Sequence, residues 1–412
     1  ASCRYRLTEI GFRGLVFQKL NCRPACCEIH RCFFNTRHIG DDGFNPCNTT
    51  GAAHPLDTEH GLYCHSAIIT IVPTKTAVKL ATKNNKERDI TIVGCGFAAV
   101  ALGISLKKAG LNNFTILERS NEIGGVWREN TYPGAACDVP SRLYSFSFEQ
   151  DYPWSLRYAP QKEIFEYLKH CIDKYSLTRH IRLGMEVTKA TYDDDAATWS
   201  VATKSGEEIT TDIFISAVGL FNNPSIPDIP GQDTFKGSQF HSARWDHSVE
   251  LDGKTIASIG SGASAIQYVP ELAKISKQLN VFQRTPQHIF AKGDRANAQQ
   301  DQSTTLWQKL SHRRERLQLF TRFEKNSRRR SSEELTQKSA EAFEKYIHSL
   351  VDDAEMLKKV LPDYPPGCKR GLRSDDWYPA LLKTNVNLID APIDTITSTQ
   401  SFMAPALRRP RF

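Results

Sequence analysis

Two short glycine turns constrain this chain more than anything else in it. The first, Gly94-Cys95-Gly96-Phe97-Ala98-Ala99, follows an apolar run of Ile90, Ile92 and Val93, and the second, Gly260-Ser261-Gly262-Ala263-Ser264-Ala265, follows another at 255–259. Each turn is predicted to link a strand to a helix, at 98–108 and 263–275, with a further strand at 114–117 and 279–282. In such a unit the first glycine permits the tight turn and the second lets backbone approach a pyrophosphate. The small third residue, Ala99 in the first copy, lets helix and strand pack. A glycine turn alone is weak, but the strand context makes it specific. The fold class that follows is α/β, with two dinucleotide-binding, Rossmann-like domains.

The ends of the paired strands separate the two copies. Glu118 lies 24 residues after Gly94, and Arg284 lies 24 residues after Gly260. A carboxylate there accepts hydrogen bonds from free ribose hydroxyls, whereas a guanidinium favours a 2′-phosphate. The first copy therefore suits FAD or NAD and the second suits NADP.

The remaining segments fill in around these copies. Residues 1–87 read as an irregular extension holding seven of the 11 cysteines, with spacings that match no zinc motif, so no metal is expected. The first dinucleotide-binding domain, suited to FAD or NAD, is expected to cover 88–230, a linker 231–246, the second, suited to NADP, 247–396 and an unstructured tail 397–412. Residues 124–148 are too rich in Gly, Pro and aromatics for helix and read as a long functional loop. An amphipathic helix is predicted at 161–175, with Ile164, Phe165, Leu168, Cys171 and Ile172 on its apolar face. Strands follow at 182–191, 198–203 and 212–216. Residues 302–360 read as a helical insertion in the second domain, with a capping box from Ser331 to Glu334 and an apolar face of Phe343, Ile347, Leu350 and Val351. A last short strand is predicted at 386–389.

Charge and hydropathy exclude some classes. The net charge of +7 over 412 residues is concentrated in 313–330, where eight Arg or Lys face two Glu. Without interleaved stacking aromatics this reads as a solvated helix face, and no nucleic-acid partner is expected. No apolar run is long enough to span a bilayer, and the N-terminus lacks a signal-peptide pattern. The expectation is a cytoplasmic, monomeric protein.

Between the two copies lies FKGSQFHSARWD, residues 235–246. This stretch resembles the connector of the Baeyer-Villiger monooxygenases, a group of class B flavoprotein monooxygenases, whose pattern FxGxxxHxxxW followed by Pro or Asp is met by Phe235, Gly237, His241, Trp245 and Asp246. The GGVW, YPG and CD elements of 124–138 and the pair Lys369-Arg370 are similar to the same family. The resemblance covers about 89–396. It implies that Gly94, Gly96, Ala99, Glu118, Val126, Trp127, Asp138, Tyr144 and Val187 contact or flank FAD. Gly260, Gly262, Ser264, Ala265, Arg284, Thr285 and Lys369 would hold NADPH, with Arg284 and Lys369 on the 2′-phosphate. Arg370 would be the catalytic cation and Asp138 its partner. One departure is Ala136, where relatives commonly carry Arg.

The activity implied is a monooxygenation in which NADPH reduces FAD, the flavin traps O2 as a C4a-peroxide, and a ketone becomes an ester or lactone. His241 and Trp245, lying in a connector, read as a hinge rather than as acid-base groups. Two alternatives stay open: a flavin monooxygenase acting on nitrogen or sulfur, and a non-catalytic nucleotide-binding remnant. The last arises because the family continues past the equivalent of Ile396 with a segment that returns to the FAD domain, which implies an incomplete FAD domain here.

Overall fold

The structure is a computed structural model that describes residues 88–297, 305–325 and 333–399, and the backbone alone of 5–6, 18–19, 326–329 and 401–403. The chain divides into two units, Ala1–Pro55 and Leu56–Phe412. In the first, Tyr5–Arg6 pairs antiparallel with Gln18–Lys19. The rest of the Cys/His-rich extension, the capping residues 331–332 and the tail beyond 403 lie outside the described residues.

The second unit opens with β1 (Ile90–Val93), α1 (Phe97–Lys108), β2 (Phe114–Leu117) and the one-turn α2 (Val126–Glu129). Then come α3 (Gln161–Lys174), β3 (Ile181–Arg182), β4 (Val187–Asp193), β5 (Thr198–Thr203), β6 (Glu208–Thr211) and β7 (Ile213–Ser216). Strands β3, β2, β1 and β7 form a parallel sheet in that order. The central strands are near-continuous apolar runs because helices and loops cover them. Helix α1 buries Ala99, Val100, Gly103 and Ile104 against that sheet. A Cβ on Gly103 would stand 3.3 Å from Phe114, Ile116 and Leu177, so the helix lies close to the strands at that point. Strands β4, β5 and β6 form an antiparallel meander beside it.

Two sequence expectations need correction here. The buried face of α3 is Ile164, Tyr167, Leu168, Cys171 and Ile172, which is the i, i+3, i+4, i+7, i+8 series. Phe165 lies off that stripe and packs instead over Gly124. The loop of 124–148 also holds the α2 turn, because Gly124 and Gly125 both take positive φ and launch a segment, VWRE, that lacks helix breakers.

The second half contains β8 (Thr255–Ile259), α4 (Ala265–Ile275), β9 (Gln278–Phe282) and β10 (Ile289–Phe290). Helices α5 (Leu306–Arg329), α6 (Glu333–His348) and α7 (Ala354–Val360) follow, then β11 (Leu372–Arg373), α8 (Trp377–Leu381) and β12 (Val386–Ile389). Strands β8, β9 and β12 pair in parallel, in that order. The core behind them joins Ile266, Val269 and Leu272 of α4 to Phe343 and Ile347 of α6 and Trp377 of α8. Leu350, expected on the buried face of α6, lies beyond the helix end and is exposed, while Val351 is buried.

The region after 389 is more regular than its sequence suggests. Strand β13 (Ile393–Ile396) pairs antiparallel with β14 (Ser401–Met403). The Ile396 N–H donates to the Pro230 carbonyl at 2.8 Å, and the Lys236 N–H to the Ser398 carbonyl at 3.0 Å. This segment therefore returns to the start of the connector. No helix among the described residues is long and apolar enough to cross a membrane.

Candidate functional site

The first glycine turn is shaped by close backbone approach. Gly94 has φ +95°, and a Cβ there would stand 2.6 Å from the Ala217 carbonyl oxygen. Helix α1 starts from Gly96 with no side-chain cap, so its first-turn N–H groups remain available to an anion. Gly96 faces Gly125 across backbone, with no side chain on either to fill the space. Glu118 is buried at the end of β2. Its Oε2 accepts from the Cys95 N–H at 2.8 Å, and Oε1 accepts from the Ser120 N–H at 3.0 Å and faces Arg128 Nη1 at 3.3 Å. Val187, the first residue of β4, packs with Leu117, Met185 and Val201, near the Glu118 strand end and away from the cavity described next.

A cavity of about 420 Å³ opens between the two glycine turns. Its wall includes Phe97, Ala98, Trp127, Tyr144, Asp138 and Arg370, together with Ala263, Ile266 and Gln267 from the second half. The Trp127 Nε1–H donates to the Tyr144 hydroxyl at 3.0 Å, and the two rings meet edge to face. Burial pushes the Tyr144 phenol up, and it stays neutral.

Asp138 and Arg370, 232 residues apart, meet at this wall. Arg370 Nη2 donates to Asp138 Oδ1 and to Oδ2, each at 2.6 Å. Asp138 is held from behind, since the Cys137 N–H donates to the Ala159 carbonyl at 2.9 Å and Ala136 bridges Pro160. Arg370 precedes β11, which pairs in parallel with β10, so a strand pair sets its position too. The Cys137 thiol is pushed up to about 12 by burial and then by Asp138, and the Cys95 thiol likewise by burial and Glu118, so neither is a nucleophile at neutral pH.

At the second turn Gly260 takes φ +107°, and α4 begins at Ala265 after Ser264. Gly262 has open space where a side chain would project. Arg284 is exposed just beyond β9, next to Thr285, whose carbonyl accepts from the Ser261 hydroxyl at 3.4 Å. Lys369 is exposed and lies over the Tyr364 ring at 4.7 Å. Arg284, Thr285 and Lys369 are not among the residues that line the cavity, although Lys369 directly precedes Arg370 in the chain.

The connector forms an ordered bend. Gly237 accommodates the Phe235 ring, from which a Cβ would be only 2.6 Å away. His241 Nδ1 accepts from the Ala243 N–H at 3.1 Å, which fixes its proton on Nε2 when neutral. Burial and Arg244 both hold the imidazole below its usual range. Trp245 packs between Phe240, met edge to face, and the tilted ring of Tyr268 of α4, at 5.1 and 5.5 Å between ring centres. Neither His241 nor Trp245 borders the cavity.

Residues 87–301, just over half of the chain, match the family described as Flavin-binding monooxygenase-like. The chain belongs to this family. A Baeyer-Villiger monooxygenase of Streptomyces coelicolor is 38% identical over 309 residues, covering 74% of this chain and 59% of that protein. The chain thus spans about three fifths of the length of the curated relatives it matches first. Among solved structures, an oxidized steroid monooxygenase bound to NADP aligns with a TM-score of 0.69 at 29% identity, over 77% of this chain and 69% of the other. A second solved structure, OTEMO in complex with FAD and NADP, aligns at 0.67 and 26%, over 77% and 69%. The resemblance to Baeyer-Villiger monooxygenases carried by the connector agrees with these relatives, as does the α/β class with parallel sheets.

Beyond the motifs of this flavin-binding monooxygenase-like chain, three polar residues escape motif reading. Gln267 of α4 binds the Ala136 backbone and the Tyr132 hydroxyl. Glu129 is shared by Arg128 at 2.7 Å and by Arg244 of the connector at 2.9 Å, which holds its carboxyl below the usual range despite burial. Arg316 of α5 donates to the carbonyls of Arg142, Leu143 and Ser145 at 2.8 to 3.1 Å. The 313–330 segment is therefore not simply a solvated face. The one sequence sign for Gln267 was a polar residue inside the apolar start AIQYV.

Proposed function

We propose that this chain carries two dinucleotide-binding domains, FAD in 88–230 and NADPH in 247–396, and acts as a Baeyer-Villiger monooxygenase converting a ketone to an ester or lactone. The observation that carries the reading is the Asp138–Arg370 pair in the wall of a cavity lying between the two glycine turns. The cavity falls within the usual size range of small-molecule sites. An uncapped helix N-terminus and a backbone approach at Gly96 and Gly125 without side chains fit a flavin pyrophosphate. The steroid monooxygenase and OTEMO, bound to NADP and to FAD with NADP, support the same cofactors.

On this reading Gly94, Gly96, Ala99, Glu118, Val126, Trp127, Tyr144 and Val187 serve FAD, and Gly260, Gly262, Ser264, Ala265, Arg284, Thr285 and Lys369 serve NADPH. Bound flavin, once reduced, would supply oxygen activation. The protein's own part is electrostatic and steric. Arg370 sets a permanent positive charge at the cavity wall, where it lowers the energy of an oxyanion as negative charge develops on the substrate carbonyl. Asp138 orients that charge. Trp127, Tyr144 and Phe97 make the wall aromatic and limit water. His241 and Trp245 act as hinge residues.

The purified chain, supplied with FAD and NADPH, is incubated with a cyclic ketone and, separately, with a thioether. Lactone formation supports the proposal. Sulfoxide formation alone assigns the chain to heteroatom oxidation, and failure to take up flavin, read from its visible absorbance, overturns the catalytic reading.

A further inference from the structure

Gln267 grips the loop that carries Asp138. Its Oε1 accepts from the Tyr132 hydroxyl at 2.9 Å and from the Ala136 N–H at 3.3 Å, while its Nε2 donates to the Ala136 carbonyl at 2.8 Å. Between those partners Gly134 takes φ +76° and comes so close that a Cβ would stand 2.6 Å from the Gln267 carbonyl oxygen. One residue of α4 thus holds the loop through its side chain and abuts it through its backbone. A primary amide bonded to both the N–H and the C=O of one residue fixes rotation as well as distance, much as a neighbouring strand does. With the Ala136–Pro160 bridge and the Cys137 N–H bond to Ala159, this sets the direction of the next side chain but one, Asp138.

Along the helix, Gln267 stands two residues after Ala265, in the first turn of α4 beyond Gly260 and Gly262. An anion held by that turn orders the N–H groups of this same helical turn. We propose that Gln267 is a positioning residue which keeps the Asp138–Arg370 pair in register with nucleotide occupancy of the second glycine turn. This rests on the reading of that turn as the NADPH site. Gln267 makes no claim on the reacting atoms; it acts through Asp138.

Cys137 lies between Ala136 and Asp138, is buried, and is a free thiol, so it reports on opening of this loop. The test labels the full chain with a maleimide, with and without NADP+, and follows the Cys137 peptide by mass spectrometry. Binding of NADP+ is measured in parallel by calorimetry. In the unaltered chain NADP+ is expected to slow labelling several-fold. Gln267→Met, which keeps length but not hydrogen bonds, is expected to speed labelling roughly tenfold and to lose the protection while still binding NADP+. Gln267→Glu retains the acceptor but not the donor, and should fall between the two. It also decides the matter if the methionine variant is misfolded by circular dichroism. Unchanged labelling in a folded variant, or unchanged NADP+ protection, overturns the inference alone. No NADP+ binding to the unaltered chain overturns the NADPH reading and this inference with it.

Discussion

Arg370 and Asp138 meet through one nitrogen: Nη2 is 2.6 Å from each carboxylate oxygen, so the pair is not the two-nitrogen fork an arginine and a carboxylate often form. The carboxylate sets the direction of the guanidinium while Nη1 and Nε stand outside that contact. Replacing Arg370 with Ala should lower lactone formation about 10²- to 10³-fold, the usual effect of losing one preorganised oxyanion partner. NADPH oxidation should continue, with hydrogen peroxide appearing in place of product. Product chromatography beside a peroxide assay checks this, and undiminished lactone removes Arg370 from the chemistry.

Gly94 tests the turn itself. Gly94→Ala combines positive φ with a Cβ 2.6 Å from a backbone oxygen, so a loss of roughly 2–4 kcal/mol is expected in urea unfolding. Gly206 also has positive φ but open space around it, and Gly206→Ala should cost only about 1 kcal/mol. Gly96 has ordinary extended backbone, so Gly96→Ala should leave stability nearly intact and weaken flavin uptake instead.

Coenzyme choice rests on the end of β9. Arg284→Ala should reduce kcat/KM for NADPH about 10- to 100-fold while changing the value for NADH little, the scale of a lost charge-assisted phosphate contact. Lys369→Ala should act in the same direction. Steady-state rates with both coenzymes decide, and an equal loss with each would place Arg284 away from the 2′-phosphate.

His288 makes the second core sensitive to acid. It is buried beside Phe343 and Tyr364, its Nδ1 has no hydrogen-bond partner among the described residues, and burial lowers its pKa to about 4. The unfolded chain binds this proton near pH 6.5 and the folded chain only near 4. The stabilisation is thus complete above about pH 6.5 and is lost as pH falls towards 4, by up to about 3 kcal/mol. His288→Phe should flatten that part of the stability profile measured by denaturant titration, and an unaltered slope would exclude His288 as its source.

What the sequence reveals depends on how local the cause is. The turns, β1, β2 and β12 were legible because apolar period, glycine and strand end lie within a few residues of one another. Phe165 was misplaced because a helical stripe can be drawn through either 165 or 167, and only packing over Gly124 decides. Arg316 was hidden in a run of like charge, since the carbonyls it satisfies belong to residues more than 170 positions earlier. Asp138 and Arg370 could be paired only through family resemblance; no periodicity spans 232 residues.

Helix α5 has a consequence for how the polypeptide is made. It belongs to the second half by chain order, yet Leu319 packs on the first core and Arg316 ties down the loop at 142–145 beside the cavity. Arg316 is synthesised 100 residues after Ser216 closes the first sheet. At ordinary translation speeds the first half therefore waits about 5–20 s on the ribosome with that loop unanchored. Its vulnerability to chaperone capture or proteolysis falls in that interval, and a boundary drawn between the two sheets would divide the message without dividing the fold.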